Sequence, residues 1–193
     1  MFTRIASRNK NLSIFATKAQ GYKELLQAVC EDDDVRLQQL LDAGVPVDGC
    51  GEYSWTALIR ASHQGRIKCL QILINNGADV NAKTILLETG LHWAVGKGHI
   101  DCARMLIANG ARIDEIDTWG RTPLIKAGVM GDNKRVGSMR LLLRNNADVL
   151  AMDDKGMTAL DYAKHGDNGE MVKMLEEYNA GLITNKTRLM KCS

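Results

Sequence analysis

The sequence predicts an all-α protein, a solenoid of about five stacked helix-turn-helix units. Two series of residues recur along the chain with the same steps of 33, 33 and 36 residues. One series is Thr56, Thr89, Thr122 and Thr158, and the other is Gly44, Gly77, Gly110 and Asn146. A shared period in this range is typical of supersecondary units that are stable only when their neighbours cover their apolar faces.

Each unit contains two consecutive segments with apolar residues at helical spacing. The threonine precedes the first segment, where its side-chain oxygen can cap the helix. Gly65 and Gly98 separate the two helices, and Gly77 and Gly110 follow the second ones, where a left-handed backbone suits glycine. The polar stretch before the next threonine contains turn residues and predicts a β-hairpin-like finger at right angles to the helices.

Three segments carry a family resemblance: Asn-Gly-Ala-Asp-Val-Asn-Ala at 76–82, Thr-Gly-Leu-His-Trp-Ala at 89–94 and Asp-Thr-Trp-Gly-Arg-Thr-Pro-Leu at 117–124. They resemble the ankyrin repeat, and the resemblance extends over residues 22–181. It implies an L-shaped ankyrin-repeat solenoid of helix pairs with hairpin fingers and a concave groove. The predicted units are 22–50, 51–83, 84–116, 117–152 and 153–181. The first and last units are expected to be capping repeats.

Two departures from the family pattern stand out. The step of 36 residues comes from an insertion around residues 131–137, which lengthens the loop between the two helices of the fourth unit. This loop is either a tolerated addition or a contact loop. In the third finger, Thr84 and Leu87 stand where the resemblance implies Asp and Gly, and three apolar residues at 85–87 replace a polar turn.

Charge divides the chain into basic ends and an acidic middle. Residues 1–23 carry five basic and no acidic residues, and residues 181–193 carry three basic and no acidic residues. The remainder has a net charge of −6, which disfavours nucleic-acid binding by the repeat body. We therefore distinguish a basic N-terminal extension (1–21) and a basic C-terminal tail (182–193) from the repeats.

The N-terminal extension has two interpretations, a solvated basic tail or a mitochondrial presequence. Phe2, Ile5 and Leu12 share one arc of a helical wheel, and Arg4 and Lys10 fall outside it. The five cysteines are scattered without a close pair, which indicates reduced thiols inside a cell. No apolar run approaches the ~20 residues of a membrane span. We predict an intracellular, cytoplasmic protein that is monomeric when free, with a mitochondrial or nuclear location as the alternative.

No group of residues in the sequence points to catalysis, and we predict no catalytic residues, metal or cofactor. His92 belongs to the Thr-Xaa-Leu-His turn, for which the family resemblance implies a structural hydrogen bond. Cysteines and histidines lack the short spacings of a zinc site, and no glycine-rich segment has the spacing of a phosphate loop. The acidic run at 31–34 is interpreted as a solvated turn near a helix N-terminus, with a cation site as the alternative.

The family resemblance places function on the fingers and on the inner ends of the first helices. Trp, Tyr and Arg dominate binding hot spots because they bury large, rigid surfaces. The predicted partner-binding residues are Tyr53, Trp55, His63, Gln64, Ile85, Leu86, Lys97, Trp119, Arg121, Met130 and Lys155. Five of them (Tyr53, Trp55, Ile85, Leu86 and Trp119) should form an exposed apolar line, unless they pack on neighbouring fingers. Trp93, inside a first helix, is expected to pack.

These observations predict a non-enzymatic module that binds another protein through its finger tips and concave groove. Rigid units would present aromatic anchors without a cost of ordering. The alternative is a permanent structural accessory subunit of a larger assembly, such as a mitochondrial one, with the basic ends as import signal or anchoring arm.

Overall fold

The structure, a computed structural model, describes residues 20–129 and 133–190, the last nine as backbone only. The predicted presequence, most of the C-terminal tail and Met130 lie outside the residues described in full. Within the described ranges the chain forms five successive pairs of α-helices. They are α1 (20–31), α2 (Asp34–Asp42), α3 (Ala57–Gln64), α4 (Ile67–Asn75), α5 (Gly90–Lys97), α6 (Ile100–Ala108), α7 (Pro123–Val129), α8 (Val136–Arg144), α9 (Ala159–His165) and α10 (Gly169–Met190).

The repeated threonines begin the inner helices. The side-chain oxygens of Thr56, Thr89 and Thr158 each accept a hydrogen bond from the backbone N–H three residues on. Thr122 makes the same contact with the N–H of Ile125 at 3.3 Å. These bonds satisfy donors that a helix N-terminus leaves free, so the predicted caps are confirmed.

Glycine ends the inner helices α3 and α5. Gly65 and Gly98 have φ angles of 72° and 77°, in the left-handed region where a side chain would be strained. The chain therefore turns within two residues into the outer helix of the same pair, as the spacing predicts.

The core runs through the array between the inner and outer helices. Inner helices pack side by side, α3 on α5, α5 on α7 and α7 on α9, and each also packs on its outer partner. The fully buried leucines include Leu58, Leu91 and Leu124 from the inner helices and Leu106 and Leu142 from the outer ones. Burial between neighbouring pairs is what stabilises a repeat solenoid. The sequence and these contacts agree on an all-α repeat solenoid.

The fingers are tight turns at residues 52–55, 84–88, 117–121 and 153–157. Among the described residues, the extended pairing is limited to two isolated bridges, Cys50 with Thr56 and Lys83 with Thr89. The predicted hairpins are thus reduced to tight turns, and a single bridge closes each of the first two. Successive tips are joined by backbone hydrogen bonds of 3.0 Å, from Ile85 N to Tyr53 O, Thr118 N to Leu86 O and Asp154 N to Trp119 O.

The third finger keeps the turn of its neighbours despite its different sequence. In the fourth finger, Asp117 Oδ1 accepts hydrogen bonds from the backbone N–H groups of Trp119 and Arg121. Thr84 Oγ1 takes the same role toward Leu86 and Glu88, at 3.2 and 3.3 Å. The left-handed position is held by Gly120 in the fourth finger and by Leu87, with a φ of 57°, in the third.

The insertion lies between α7 and α8, as predicted. Six residues separate these helices, including a 3₁₀ turn at Asn133–Arg135, whereas two residues separate α3 from α4. Within the described parts of the chain, no helix is both long and apolar enough to cross a lipid bilayer.

Candidate functional site

Four of the five predicted apolar finger residues lie exposed along one groove. Tyr53 is 65% exposed, Ile85 54%, Leu86 40% and Trp119 44%. The groove has a volume of about 480 Å³ and runs across the second, third and fourth fingers. Trp55 and Trp93 complete its apolar lining, and Glu88 and Arg121 are among its polar residues. We call it the finger groove.

Trp55 differs from the other four finger residues, and the prediction that it is exposed is wrong. Its ring is half-buried and lies 5.1 Å, between ring centroids, from that of Trp93. The edge of His63 packs against both indoles, and the Arg60 guanidinium stacks 4.5 Å from the Trp55 ring centre. Trp55 therefore joins its finger to the inner helices while one part of its surface faces the groove.

Trp93 was expected to be a packing residue, yet it is half-buried and lines the finger groove. The Lys126 ammonium lies 4.1 Å above its ring centre, a cation–π contact. Arg60, Trp93 and Lys126 are site residues that the sequence interpretation missed. Each stands four residues after the repeated threonine, as does Tyr162, so they lie on the same face of successive inner helices. That common register could have identified them.

Trp93, Lys126 and Tyr162 each lie close to the residue just before the threonine of the preceding unit. Trp55 meets Trp93 in this way, and Glu88 forms an ion pair with Lys126. Both members of that pair are buried, and desolvation lowers the pKa of Lys126 while Glu88 opposes the shift. Arg121 and Tyr162 line a smaller cavity of about 170 Å³ between the fourth and fifth units.

The remaining predicted site residues occupy different surroundings. Arg121 forms an ion pair with Asp117 at 2.7 Å and stacks 4.4 Å from the Trp119 ring centre. Lys97 and Lys155 are exposed, and Lys155 lines the smaller cavity with Trp119. Gln64 is half-buried beside Cys30, to whose sulfur its amide donates at 3.7 Å.

His92 has the structural role that the family resemblance implies. Its Nδ1 accepts from the backbone N–H of Thr89 at 3.2 Å, and its Nε2 lies 3.1 Å from the carbonyl oxygen of Arg121. With Thr89 it forms a capping box for α5. Complete burial of the ring lowers its pKa to about 4, so the imidazole is neutral near pH 7.

His63 packs against Trp55 and Trp93 among positively charged side chains. Its pKa is lowered to about 4, first by burial and then by the charges of Lys97 and Arg60 and, more weakly, His99 and Lys126. The ring is therefore neutral near pH 7.

Four buried polar atoms on the inner helices α3 and α5 have no hydrogen-bond partner within the described structure. They are Arg60 Nε, His63 Nδ1, Gln64 Oε1 and Trp93 Nε1. Leaving a buried donor or acceptor unpaired costs about 1–3 kcal/mol, so such atoms are rare in a finished core.

A second groove, of about 750 Å³, lies beside the first, between α1 and the second finger. Its lining includes Tyr22, Leu26 and Pro46, and Tyr53 and Trp55 form the ridge that it shares with the finger groove. The Tyr22 hydroxyl donates to the carbonyl oxygen of Trp55 and ties α1 to that finger.

The acidic run at 31–34 is occupied by local contacts. Asp33 caps α2 through the N–H of Arg36, Asp32 pairs with Arg66 at 3.4 Å, and Asp34 lies 3.9 Å from Lys68. In the described part of the chain no three Cys, His, Asp or Glu side chains come together as metal ligands would.

Stacked helix pairs and finger turns joined by backbone hydrogen bonds define a repeat protein of the solenoid class. The sequence profile of ankyrin repeats in three copies matches residues 91–188, and a second ankyrin-repeat profile matches residues 58–107. The chain belongs to the ankyrin repeat family. Ankyrin repeats are in general non-enzymatic modules for protein–protein interaction.

Curated relatives share the repeats within longer chains. An ankyrin repeat and KH domain-containing protein of Caenorhabditis briggsae is 30% identical over 183 residues, which are 93% of this chain and 7% of the relative. The 2-5A-dependent ribonuclease of Mus musculus is 36% identical over 64 residues, 33% of this chain and 9% of the relative. An ankyrin repeat, SAM and basic leucine zipper domain-containing protein of Eulemur macaco macaco is 32% identical over 74 residues, which are 36% of this chain and 15% of the relative. The chain thus spans a small part of these relatives.

Proposed function

We propose that this chain binds a segment of another protein in the finger groove and on the adjoining concave face. The observation that carries the proposal is the row of exposed apolar side chains on successive fingers, Tyr53, Ile85, Leu86 and Trp119, which line one cavity. Such a continuous apolar surface is uncommon on a protein without a partner. Its aromatic content is typical of binding hot spots.

The surroundings of the groove favour binding without rearrangement. Backbone hydrogen bonds join each fingertip to the next, and side-chain caps fix the turns that carry Leu86 and Trp119. The backbone of the groove is therefore ordered before a partner arrives. The cost of fixing loops on binding, which reduces affinity in flexible surfaces, is small here.

The test is affinity capture of the tagged chain from its native cell, comparing the wild type with Ile85→Asp. A carboxylate at this exposed tip should cause little unfolding, yet it places an unpaired charge in the apolar groove. We expect the co-purifying partner to be lost. The stability of each variant is checked by urea unfolding.

Leu150→Asp is the matched control. Leu150 is 65% exposed, in the turn after α8, and it does not line the finger groove. The same change of chemistry at this site should leave capture intact. Equal loss of the partner with both variants, or no loss with Ile85→Asp, would exclude the groove as the binding surface.

A further inference from the structure

The concave face beside the finger groove has an excess of positive charge. The charges that lower the pKa of His63 come from Lys97, Arg60, His99 and Lys126, and no acid is among them. Lys126 is neutralised by Glu88. Among the described residues, no carboxylate oxygen comes within 4.0 Å of the Arg60 guanidinium or the Lys97 ammonium. Neither of these two cations has a carboxylate partner within the described residues.

The tryptophan faces that could receive a cationic ligand are already covered. Arg60 stacks on Trp55 at 4.5 Å, and Lys126 lies 4.1 Å from the centre of the Trp93 ring. A lysine or arginine side chain from a partner would meet like charge here instead of an open aromatic face. The site therefore discriminates against basic segments.

Arg60 and Lys97 supply charged donors at this face. The exposed Lys97 stands one turn after Trp93 on α5, and the Arg60 guanidinium lies against Trp55. A carboxylate accepts through two oxygens and forms stronger bonds with charged donors than a neutral acceptor does. Because Trp93 also lines the finger groove, such an acceptor would lie beside the apolar cavity.

We propose that the partner segment is acidic: a carboxylate lies against Arg60, Trp93 and Lys97, and an adjacent apolar side chain enters the finger groove beside Ile85 and Trp119. The cavity of about 480 Å³ is large enough for a bulky apolar side chain. This inference rests on the proposed function and specifies the chemistry of the partner at the same surface.

The test uses a displayed library of random-sequence peptides selected on the full chain. We expect the enriched peptides to contain Asp or Glu next to a large apolar residue, in excess of the starting library. The dissociation constant of an enriched peptide, measured by fluorescence anisotropy, should rise at least about tenfold with Arg60→Gln plus Lys97→Gln. Lys97→Gln alone changes an exposed side chain and keeps the fold, and it should weaken binding about threefold.

Arg104→Gln plus Arg144→Gln is the matched control, because it removes the same charge from exposed positions on the outer helices α6 and α8. It should leave the dissociation constant unchanged. Peptides without an excess of acidic residues, or equal weakening by the two double variants, would overturn the acidic-segment inference while leaving the groove as a peptide site.

Failure of the proposed function has a different signature. If the finger groove binds no protein segment, selection on the wild type and selection on Ile85→Asp would enrich the same peptides. Single-stranded RNA is the competing anionic ligand, and a labelled oligonucleotide is tested in the same assay. If RNA binds more tightly than the peptide, and Arg60→Gln plus Lys97→Gln abolishes that binding, the anionic ligand is RNA and the proposal of an acidic protein segment is overturned.

Discussion

At the scale of single residues, the third finger shows how a turn survives an unfavourable sequence. Ser54, Leu87, Gly120 and Gly156 occupy equivalent positions two residues before the repeated threonine, and all have φ angles between 55° and 72°. An L-residue pays a steric cost in this region, and glycine does not. Leu87 is therefore a strained residue held by Thr84 and by the neighbouring fingers.

Leu87→Gly should relieve this strain and raise the free energy of unfolding by about 0.5–1 kcal/mol, because the steric gain exceeds the added entropy of the unfolded chain. Leu87→Ala removes the side chain but keeps the strain, so it is the control. The difference between the free energies of unfolding of the two variants, measured in urea, reports the backbone strain without the effect of the lost side chain. A glycine variant no more stable than the alanine variant would show that the turn is unstrained.

The two finger tryptophans should respond differently to truncation. Trp119 is 44% exposed at a finger tip, and we expect Trp119→Ala to change the free energy of unfolding by less than about 1 kcal/mol. Trp55 stacks on Trp93, His63 and Arg60, so Trp55→Ala should cost about 2 kcal/mol or more. Chemical unfolding of both variants measures this contrast, and similar losses would contradict it.

His92 should make stability depend on pH. Its pKa is about 4 in the fold and 6.5 in an unfolded chain, so between these values the unfolded state binds more protons. The stabilisation is complete above pH 6.5 and is lost as the pH falls toward 4, by up to about 3 kcal/mol. His92→Gln keeps a donor and an acceptor but does not titrate. Urea unfolding at several pH values gives the free energy of unfolding as a function of pH, and this dependence should be weaker in the variant. An unchanged dependence would exclude His92 as its source.

At the scale of elements, the inner helices approach one another closely at glycine. A Cβ atom on Gly128 of α7 would lie 2.8 Å from the carbonyl oxygen of Ala159, at the start of α9. The oxygen belongs to the backbone and cannot rotate away. The absence of a side chain at this position therefore sets the distance between the two helices.

Gly128→Ala has two opposing effects. Alanine favours a helix by about 1 kcal/mol over glycine, and overpacking of this kind costs about 1–3 kcal/mol. Because the clash is with backbone, we expect the cost to prevail and the unfolding midpoint in urea to fall. Gly169→Ala, with no atom within 4 Å of the added Cβ, is the control and should not destabilise. Equal stability of the two variants would show that α7 and α9 can separate without cost.

At the scale of the whole molecule, stability comes from contacts between successive helix pairs. Leu106 and Leu142 are fully buried on outer helices. The Glu88–Lys126 pair and the stack of Trp55 on Trp93 add further links between units on the concave side. Loss of one contact therefore weakens the array at the junction of two units.

Leu106→Ala and Leu142→Ala should each lower the free energy of unfolding by about 2–5 kcal/mol, through lost burial and a residual cavity. Neither residue lines the finger groove, so partner affinity of the folded fraction should be unchanged. Calorimetry combined with binding at low temperature separates the two effects. A loss of affinity without a loss of stability would show that the outer helices take part in binding.

The sequence by itself determined the repeat, the caps and the fingers, because these depend on local chemistry at fixed spacing. A threonine before an apolar helical segment and a glycine after it need no distant partner to act. For the same reason, the spacing from the repeated threonines was enough to predict that Tyr53, Ile85 and Trp119 lie on fingers.

Only the tertiary structure decided which side chains of that register meet across units. It paired Trp55 with Trp93 and Glu88 with Lys126, although 38 residues separate each pair, and it left Trp55 half-buried and Trp119 exposed. The distance between stacked units and the direction of each side chain control these contacts, and neither is encoded in local spacing. The positive, donor-rich face around Arg60 arises in the same way, from residues that approach one another only when the units stack.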